Sequence, residues 1–452
     1  MKKLITTFKN IWKIKELRNR ILFTLAMLMV YRFGSFVVLP GVMPSVLKNA
    51  TSGGGGNNLF DMINAFTGGA FNNAAIFALG IMPYITASII IQLMGFAVPY
   101  FQRLQQREGE SGRKKISQIT RLLTVAITLV QGGGYLTWVQ SQGAVSPNIP
   151  PTIFWIANVI ILSTGTIFAM WLGERITDKG IGNGVSLLIM IGIIASLPGS
   201  LIYEFTNSFG LTFVIEIAAL FFVVMATILI VQAVRRIPIQ FAKRMVGRGS
   251  SQMPVSGNRD YIPIKVNASG VMPIIFAQAL MFIPATVIQF LAKEGSDMAN
   301  NNFLIAMNDF TSAPYNIVYF VMVVAFTYVY TALLVNPQQY SEYLKRQNAF
   351  IPGIKPGKKT ADFIDSVTTR ITLPGSIFLG LIAILPAFAS KFGINTGFAM
   401  FFGGTSLLIL VAVVLDTLQQ IESHLLMRKY DGLTKSGRLK GRSGVQGIGA
   451  PM

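Results

Sequence analysis

The sequence predicts an all-α polytopic membrane protein with ten transmembrane helices. Three observations predict this fold class: an apolar composition, ten long apolar segments, and basic residues that fall in alternate connections. Of the 452 residues, 52% are hydrophobic and only 12% are charged, and the mean hydropathy is +0.56. Because an average soluble domain contains about 25% charged residues, this composition excludes ordinary soluble domains and disordered chains.

A membrane-spanning helix needs about 20 residues to cross a hydrocarbon core of about 30 Å, and ten segments come close to this length. They are residues 21–39, 75–98, 119–140, 152–172, 185–203, 211–234, 270–291, 315–335, 373–389 and 398–418. We expect Pro198, Pro374 and Pro386 to interrupt the fifth and ninth spans or to mark their ends. The first segment contains Arg32 and precedes no small-residue cleavage site, which favours a retained span over a cleaved signal peptide.

The basic residues set the predicted orientation. All but four of the 38 Lys and Arg residues lie at the termini or in alternate connections, namely in residues 1–20, 96–121, 173–184, 235–269, 336–372 and 419–452. The exceptions are Arg32 within the first span and Lys48, Lys293 and Lys391 in the remaining connections. Since cytoplasmic connections carry an excess of Lys and Arg, the sequence predicts that both termini are cytoplasmic.

Ten spans divide into two sets of five that cross the membrane in opposite orientations, as in an inverted repeat. The sequence therefore predicts an N-terminal half (residues 1–203), a C-terminal half (204–418) and a basic cytoplasmic tail (419–452). The two halves show no convincing similarity residue by residue. The repeat is therefore inferred from topology alone.

Residues 40–74 form a long connection whose role the residues alone leave open. It contains a short amphipathic stretch at 59–69, which is too brief to span a membrane. This stretch could lie on the membrane surface or fold back into the bundle, and the residues alone favour the surface. The next span carries Ile81 and Ile85 on one helix face, which by spacing alone are packed or lipid-facing side chains.

Ionisable residues are scarce within the spans, whereas several uncharged polar residues lie there. The uncharged ones include Thr86, Gln92, Gln131 and Gln278, and such residues typically form hydrogen bonds between helices worth about 1 kcal/mol or less. The spans offer no convincing pair of a membrane-centre carboxylate with a partner. A proton-coupled or ion-coupled transporter would ordinarily need one.

Composition excludes several kinds of site. The chain has no Cys and one His, so disulfides, thiolate metal sites and multi-histidine centres are excluded. The glycines of residues 179–184 lack the GxGxxG spacing, which predicts a tight connection and no nucleotide site. We therefore predict no cofactor, no metal and no catalytic site. The basic residues of connections 235–269 and 336–372 could serve only to set the membrane orientation, or they could also bind an acidic or phosphate-bearing partner.

Two long stretches carry a family resemblance. Residues 75–88 (AIFALGIMPYITAS) and 171–184 (WLGERITDKGIGNG) resemble the signature stretches of the SecY family, the channel subunits of the bacterial general protein translocon. Shorter matches follow the family's order at residues 109–113, 265–267, 350–353 and 402–409. The resemblance extends from about residue 17 to residue 430, and it implies ten helices in two pseudo-symmetric halves around a central pore.

The resemblance also implies roles for three groups of residues. An apolar ring at the waist of the pore would consist of Ile81, Ile85, Ile189, Ile275 and Ile409. A plug on the outer side would be formed by residues 59–73 with Phe60, Ile63 and Phe66, so that the folded-back arrangement becomes the favoured one. A lateral gate between the second and third spans and the seventh and eighth would include Thr86, Gln131 and Gln278.

The expected partners follow from the same resemblance. The basic connections would dock the ribosome or the motor ATPase SecA through Lys243, Arg244, Arg248 and Lys355. Lys355 departs from the family, which commonly has Arg there, so the planar guanidinium is lost. The other expected partners are the small subunits SecE and SecG, the lipid bilayer, and unfolded polypeptides bearing signal peptides. The expected location is a bacterial plasma membrane. The expected function is a non-enzymatic protein-conducting channel, and the alternative is an inverted-repeat secondary transporter of ions or small solutes.

Overall fold

The computed structural model describes residues 14–47, 66–106, 109–207, 210–241, 259–278, 309–394 and 396–435, with a few positions between these ranges. The first helices are α1 (Lys15–Gly34), α2 (Met82–Ala97), α3 (Pro99–Gln106), α4 (Gly109–Ser141), α5 (Pro151–Lys179), α6 (Gly184–Asn207) and α7 (Leu211–Gln232). After a helical stretch at 272–278 come α8 (Ala313–Leu334), α9 (Pro337–Arg346), α10 (Lys358–Lys391), α11 (Thr396–Ala399) and α12 (Gly404–Lys435). The strands are β1 (Val234–Phe241), β2 (Arg244–Val246), β3 (Met253–Val255), β4 (Arg259–Lys265) and β5 (Ala349–Phe350).

Each of the ten predicted spans has a helical counterpart among the described residues. Seven helical segments of the described chain are long and apolar enough to cross a membrane, and they overlap α4, α5, α6, α7, α8, α10 and α12. The other three spans correspond to α1, α2 and the helical residues 272–278. The predicted fold class, a helical membrane bundle, is therefore confirmed.

The first two spans differ from the prediction in their bounds. α1 ends at Gly34 instead of residue 39, and α2 begins at Met82 instead of residue 75. The end of α1 lies against the Phe77 ring. The contact is so close that a Cβ built on Gly34 would lie 2.2 Å from Phe77 Cε2. Pro83 lies in the first turn of α2, where its missing N–H removes no helical hydrogen bond. Pro83 thus begins the helix and does not interrupt it.

Helices α6 and α10 continue through their prolines. Pro198 lies inside α6, and Pro374 and Pro386 lie inside α10. The expectation that these residues interrupt the spans or mark their ends is therefore wrong. Membrane helices tolerate proline because neighbouring helices, hydroxyl side chains and local backbone adjustments satisfy the groups that it leaves unpaired.

A small antiparallel sheet, which was not expected from the sequence, joins the two basic connections. The strand order is β4-β1-β5, and β1 pairs with β5 at Gln240–Phe350 and Phe241–Ala349. An apolar cluster from these strands, α9 and α10 stabilises the unit; it contains Ile237, Ile239, Ile264, Leu344, Ala349, Ile351 and Ile364. The alternation of the buried Ile237 and Ile239 with Arg236, Pro238 and Gln240 is a period-2 pattern in the sequence that indicates β1. The two connections therefore form one folded unit.

Three helix pairs of the N-terminal set have counterparts in the C-terminal set. In the N-terminal set α4 contacts α5, α5 contacts α6, and α1 contacts α6. The corresponding pairs of the C-terminal set, α8 with α10, α10 with α12, and α7 with α12, are also in contact. These matching pairs are what a repeat of five spans would give, and the inversion of the second set stays a prediction. The sets meet where α6 packs on α12, and the predicted boundary at residue 203 falls inside α6, which ends at Asn207.

The chain alternates between two ends of the bundle, as the predicted topology requires. At one end, the backbone N–H groups of Ile181 and Gly182 donate to side chains of α1 and α12, at 3.1 and 2.8 Å. Gly182 has a φ of +82°, so the predicted tight connection is present there. At the opposite end, Val42 and Val145 form an isolated bridge between the connections that follow α1 and α4. Which end faces the cytoplasm stays a prediction.

Candidate functional site

Five isoleucines from both halves of the chain lie together in one apolar cluster. Ile81, Ile85, Ile189 and Ile409 are buried in it, and the half-buried Ile275 packs against it. They come from the start of α2, from α6, from the 272–278 stretch and from α12. Branched aliphatic side chains hold no water in a narrow constriction, so such a convergence can present small ions with a dewetted barrier. The structure thus brings together the five residues assigned to the ring, and their sealing role stays a prediction.

Glycines allow the helices around this cluster to approach closely. A Cβ built on Gly173 of α5 would lie 3.4 Å from Ile81 Cδ1 and 3.3 Å from Val185 Cγ2. A Cβ built on Gly184 would lie 2.0 Å from the Gly173 carbonyl oxygen, so the backbones of α5 and α6 are in contact. Glycines of the 171–184 stretch therefore serve helix packing beside the cluster.

The plug segment, defined as residues 59–73, is described from residue 66 onward and at residue 64. Phe66 is buried, with 6% of its surface exposed, in the same cluster as the isoleucines. The residues from 66 to 71 are buried apart from the half-buried Gly69. The described part of the segment is folded into the bundle and does not lie on the membrane surface. Phe60 and Ile63 lie outside the described residues.

Contacts from two helices hold this part of the plug segment. Tyr135 Oη on α4 donates a hydrogen bond to the Phe71 carbonyl (2.8 Å). Gly192 of α6 lies against the segment so closely that a Cβ built on it would be 2.3 Å from the Phe66 carbonyl oxygen. The segment therefore occupies a site shaped to its backbone.

The three polar residues assigned to a lateral gate form no hydrogen bond with one another in the described part of the chain. Thr86 Oγ1 donates to the Met82 carbonyl of its own helix (3.0 Å). Gln131 is half-buried on α4. Gln278 is 3% exposed, and its Nε2 has no partner among the described residues. The three do not form a polar seam here, and their role in a gate stays a prediction.

A hydrogen bond across the predicted gate involves residues that the sequence analysis did not assign to it. Tyr330 Oη on α8 donates to Gln92 Oε1 on α2, and Gln92 Nε2 donates to Ser88 Oγ (3.3 Å). The Phe276 ring lies beside this bond, with its centroid 5.2 Å from that of Tyr330 and 5.7 Å from that of Phe326. The i, i+4 spacing of Ser88 and Gln92 indicates a polar helix face, but no local pattern pairs that face with Tyr330.

Of the four cations assigned to partner docking, Lys355 is the one whose side chain is described. It is exposed between β5 and α10, and its carbonyl accepts a hydrogen bond from Thr360 Oγ1 (3.0 Å). Arg244 is described only as a backbone position of β2, and Lys243 and Arg248 lie outside the described residues. Exposed cations on β1 and β4 add to the basic surface of the same folded unit: Arg235, Arg236, Arg259 and Lys265.

Comparisons with known sequences agree on one family. The sequence model of the SecY family matches residues 75–418. Protein translocase subunit SecY of Chlamydia muridarum is 38% identical over 463 aligned residues, which cover 97% of this chain and 100% of that protein. The protein of the same name from Streptomyces scabiei is 42% identical over 447 residues, which cover 96% of this chain and 100% of the relative.

Solved structures match the fold. A structure described as a protein conducting channel aligns with a TM-score of 0.62 at 17% identity, covering 93% of this chain and 94% of that one. A SecY protein whose plug domain is described as maintaining a membrane seal aligns with a TM-score of 0.61 at 18% identity, with the same coverage. Sec61 from a canine ribosome-channel complex aligns with a TM-score of 0.59 at 17% identity, again with the same coverage. At these identities the matches establish the fold alone.

Proposed function

Because the chain belongs to the SecY family of protein translocase subunits, we propose that it is the protein-conducting channel of a bacterial translocon, closed in this structure. The observation that carries the proposal is the convergence of isoleucines from both halves in one buried cluster. Aliphatic side chains offer no group to bind a solute or an ion, but they can part around an unfolded polypeptide. An ion or solute transporter would instead need a paired ionisable group near the membrane centre.

The isoleucine ring and the plug segment would close the resting pore together. Phe66 packs in the cluster that contains Ile189 and Ile409, so the plug segment and the ring exclude water from the same region. A secretory polypeptide would displace the plug segment and push the ring apart. Because the constriction is apolar, it would close again without leaving a charged or polar group unpaired.

A lateral gate would lie where α2 faces α8 and the 272–278 stretch. The Tyr330–Gln92 hydrogen bond joins the N-terminal and C-terminal halves at this interface, and the Phe276 ring packs beside Tyr330. Hydrogen bonds between membrane helices contribute about 0.6 kcal/mol on average, so this one can break and form again during a transport cycle. Opening there would release apolar helices of membrane proteins into the lipid.

Energy and partners would come from outside the chain. We propose no enzymatic activity for it. Transport would be driven by the motor ATPase SecA or by the translating ribosome. Either partner would bind the exposed cations on the folded unit of β1, β4, β5 and α9. SecE and SecG would complete the membrane complex. The chain would lie in the bacterial plasma membrane, with both termini and the basic unit in the cytoplasm.

The ring is tested by making the cluster polar. Replacing Ile85 and Ile275 together by Ser should wet the constriction and raise the resting ion conductance of the purified protein in planar bilayers. The matched control replaces Ile156 and Ile160 of α5, which are 53% and 59% exposed on the bundle surface. The control should keep the low resting conductance. An equally low conductance of the folded ring variant would contradict the ring assignment.

Transport assays separate the two classes of function. Proteoliposomes that contain the complex should take up a secretory precursor when SecA and ATP are supplied. Gradient-driven uptake of a small solute by the chain, without any precursor translocation, would instead establish the secondary transporter.

A further inference from the structure

Arg32 is a cation in the first span, and it belongs to neither the proposed ring nor the proposed gate. It is half-buried in the last turn of α1. Its Nη1 donates to the Gly68 carbonyl (2.5 Å), and its guanidinium carbon lies 4.8 Å from the centre of the Phe36 ring. It forms no ion pair with any residue in the described part of the chain.

The position of Arg32 at the end of a helix explains only part of this arrangement. The helix dipole favours a cation in the last turn of α1. The dipole does not explain why the guanidinium donates to a carbonyl 36 positions further along the chain. An ionisable side chain within a span is costly and usually has a specific role, so the Gly68 contact requires a reason of its own.

Gly68 is enclosed between Arg32 and α6, close to the isoleucine cluster. A Cβ built on Gly68 would lie 2.8 Å from both Arg32 Nη1 and Gly192 Cα, and the φ of Gly68 is +64°. Gly192 follows Ile189 by three residues on α6, which is a rise of about 4.5 Å. Arg32 therefore contacts the plug segment about one helical turn from the proposed ring.

We propose that Arg32 is a positioning residue that fastens the plug segment in the closed channel through the Gly68 carbonyl. This inference rests on the proposed channel function. Gly68 has no side chain by which a neighbour could hold it, so a cationic donor can hold it only through its backbone carbonyl. A hydrogen bond from a charged donor is stronger than one from a neutral donor, and a single such bond still breaks when a polypeptide displaces the segment.

The lack of Cys in the chain permits a direct measurement. Thr67, which is 2% exposed beside Gly68, is replaced by Cys, and its reaction with a membrane-impermeant maleimide is followed in proteoliposomes. In this background, Arg32→Met removes the charge and all donors and should raise the labelling rate about tenfold, equivalent to about 1.4 kcal/mol. Arg32→Lys keeps the charge and a donor but loses the planar fork, so it should give an intermediate rate.

Arg121→Met is the matched control. Arg121 of α4 pairs with Glu174 of α5 through two hydrogen bonds of 3.1 and 2.8 Å, and this pair does not involve the plug segment. A general weakening of the bundle would raise the labelling of Cys at position 67 in both arginine variants, and that result would overturn the proposal. A rise in the Arg32 variants alone supports it, and Arg32→Lys supplies the test if the Met variant does not insert.

Deleting residues 60–70 separates the fastening role from the proposed function. The fastening role is supported by three results together: the deletion raises the resting conductance, Arg32→Met raises it in the full chain, and Arg32→Met causes no further rise in the chain that carries the deletion. If the deletion raises conductance and Arg32→Met changes neither conductance nor labelling, the fastening role is wrong and the plug stands. An unchanged conductance after the deletion would overturn the plug itself, and the role of Arg32 with it.

Discussion

Removing the hydroxyl of Tyr330 should make the proposed lateral gate easier to open. This hydroxyl donates to Gln92 Oε1 and so joins α8 of the C-terminal half to α2 of the N-terminal half. Tyr330→Phe deletes the bond but keeps the ring, whose centroid lies 5.2 Å from that of Phe276. The change therefore isolates the hydrogen bond from the aromatic packing around it.

The size of the effect follows from the membrane setting of the bond. Hydrogen bonds between membrane helices contribute about 0.6 kcal/mol on average and about 1.7 kcal/mol at most. Losing this amount from the closed state multiplies the ratio of open to closed channels by about 3 at the average and by about 20 at the maximum. A closed channel with a small open population would thus remain mostly closed but open several times more often.

Export of a reporter with a defective signal sequence measures how readily the gate opens. The Tyr330→Phe channel should export this reporter several-fold better than the unmodified channel. Tyr328→Phe is the control, because Tyr328 lies on the same helix and makes no hydrogen bond that the structure shows. A double-mutant cycle with Gln92→Leu gives the decisive comparison: additive effects of the two changes would refute the reasoning, since a shared bond can be lost only once.

Two further substitutions test the plug segment and the basic connections. Gly192→Ala places a Cβ 2.3 Å from the Phe66 carbonyl oxygen, so the plug segment should shift and the resting conductance should rise; Gly199→Ala, with nothing within 4 Å, should leave it low. Lys355→Glu reverses an exposed charge and should sharply reduce SecA-driven translocation, whereas Lys355→Arg should keep or improve it. Normal translocation by the Glu variant at saturating SecA and ATP would show that this charge serves orientation only.

Hydropathy predicted how many spans the chain has but not where the first two begin and end. Residues 35–39 and 75–81 are largely apolar and adjoin the helices, so a hydropathy criterion includes them in the spans. Their backbone is not helical, and the positive φ values of Ala74 (+47°) and Gly80 (+54°) mark the turns. Hydropathy reports which residues leave water, whereas a helix also requires regular backbone dihedrals, and a bundle can enclose apolar turns.

Some residues of the candidate site could be predicted from local sequence motifs, whereas others depend on contacts between distant segments. Sequence motifs near Ile81 and Ile409 assigned ring positions, and the structure brings these residues together. Tyr330 and Gln92 are 238 positions apart, and their bond depends on how α8 packs on α2, which no local pattern encodes. The alternation at Ile237 and Ile239 was a local sequence pattern that indicates a strand. It was overlooked because membrane topology alone explained the basic residues of those connections.

Residues of the proposed plug, ring and gate share one apolar cluster, and so we expect the proposed channel to open cooperatively. Phe66, Ile189 and Phe276 represent these three parts, and all are buried in that cluster. Buried apolar surface contributes about 25 cal/mol per Å² only while it stays covered. Displacing Phe66 would therefore uncover side chains of the proposed ring and lower the further free-energy cost of opening the proposed gate. The Tyr330–Gln92 bond and the Arg32–Gly68 bond are single polar contacts beside this cluster. In the proposed channel the apolar contacts would supply the seal, and these two bonds would set how readily the seal opens.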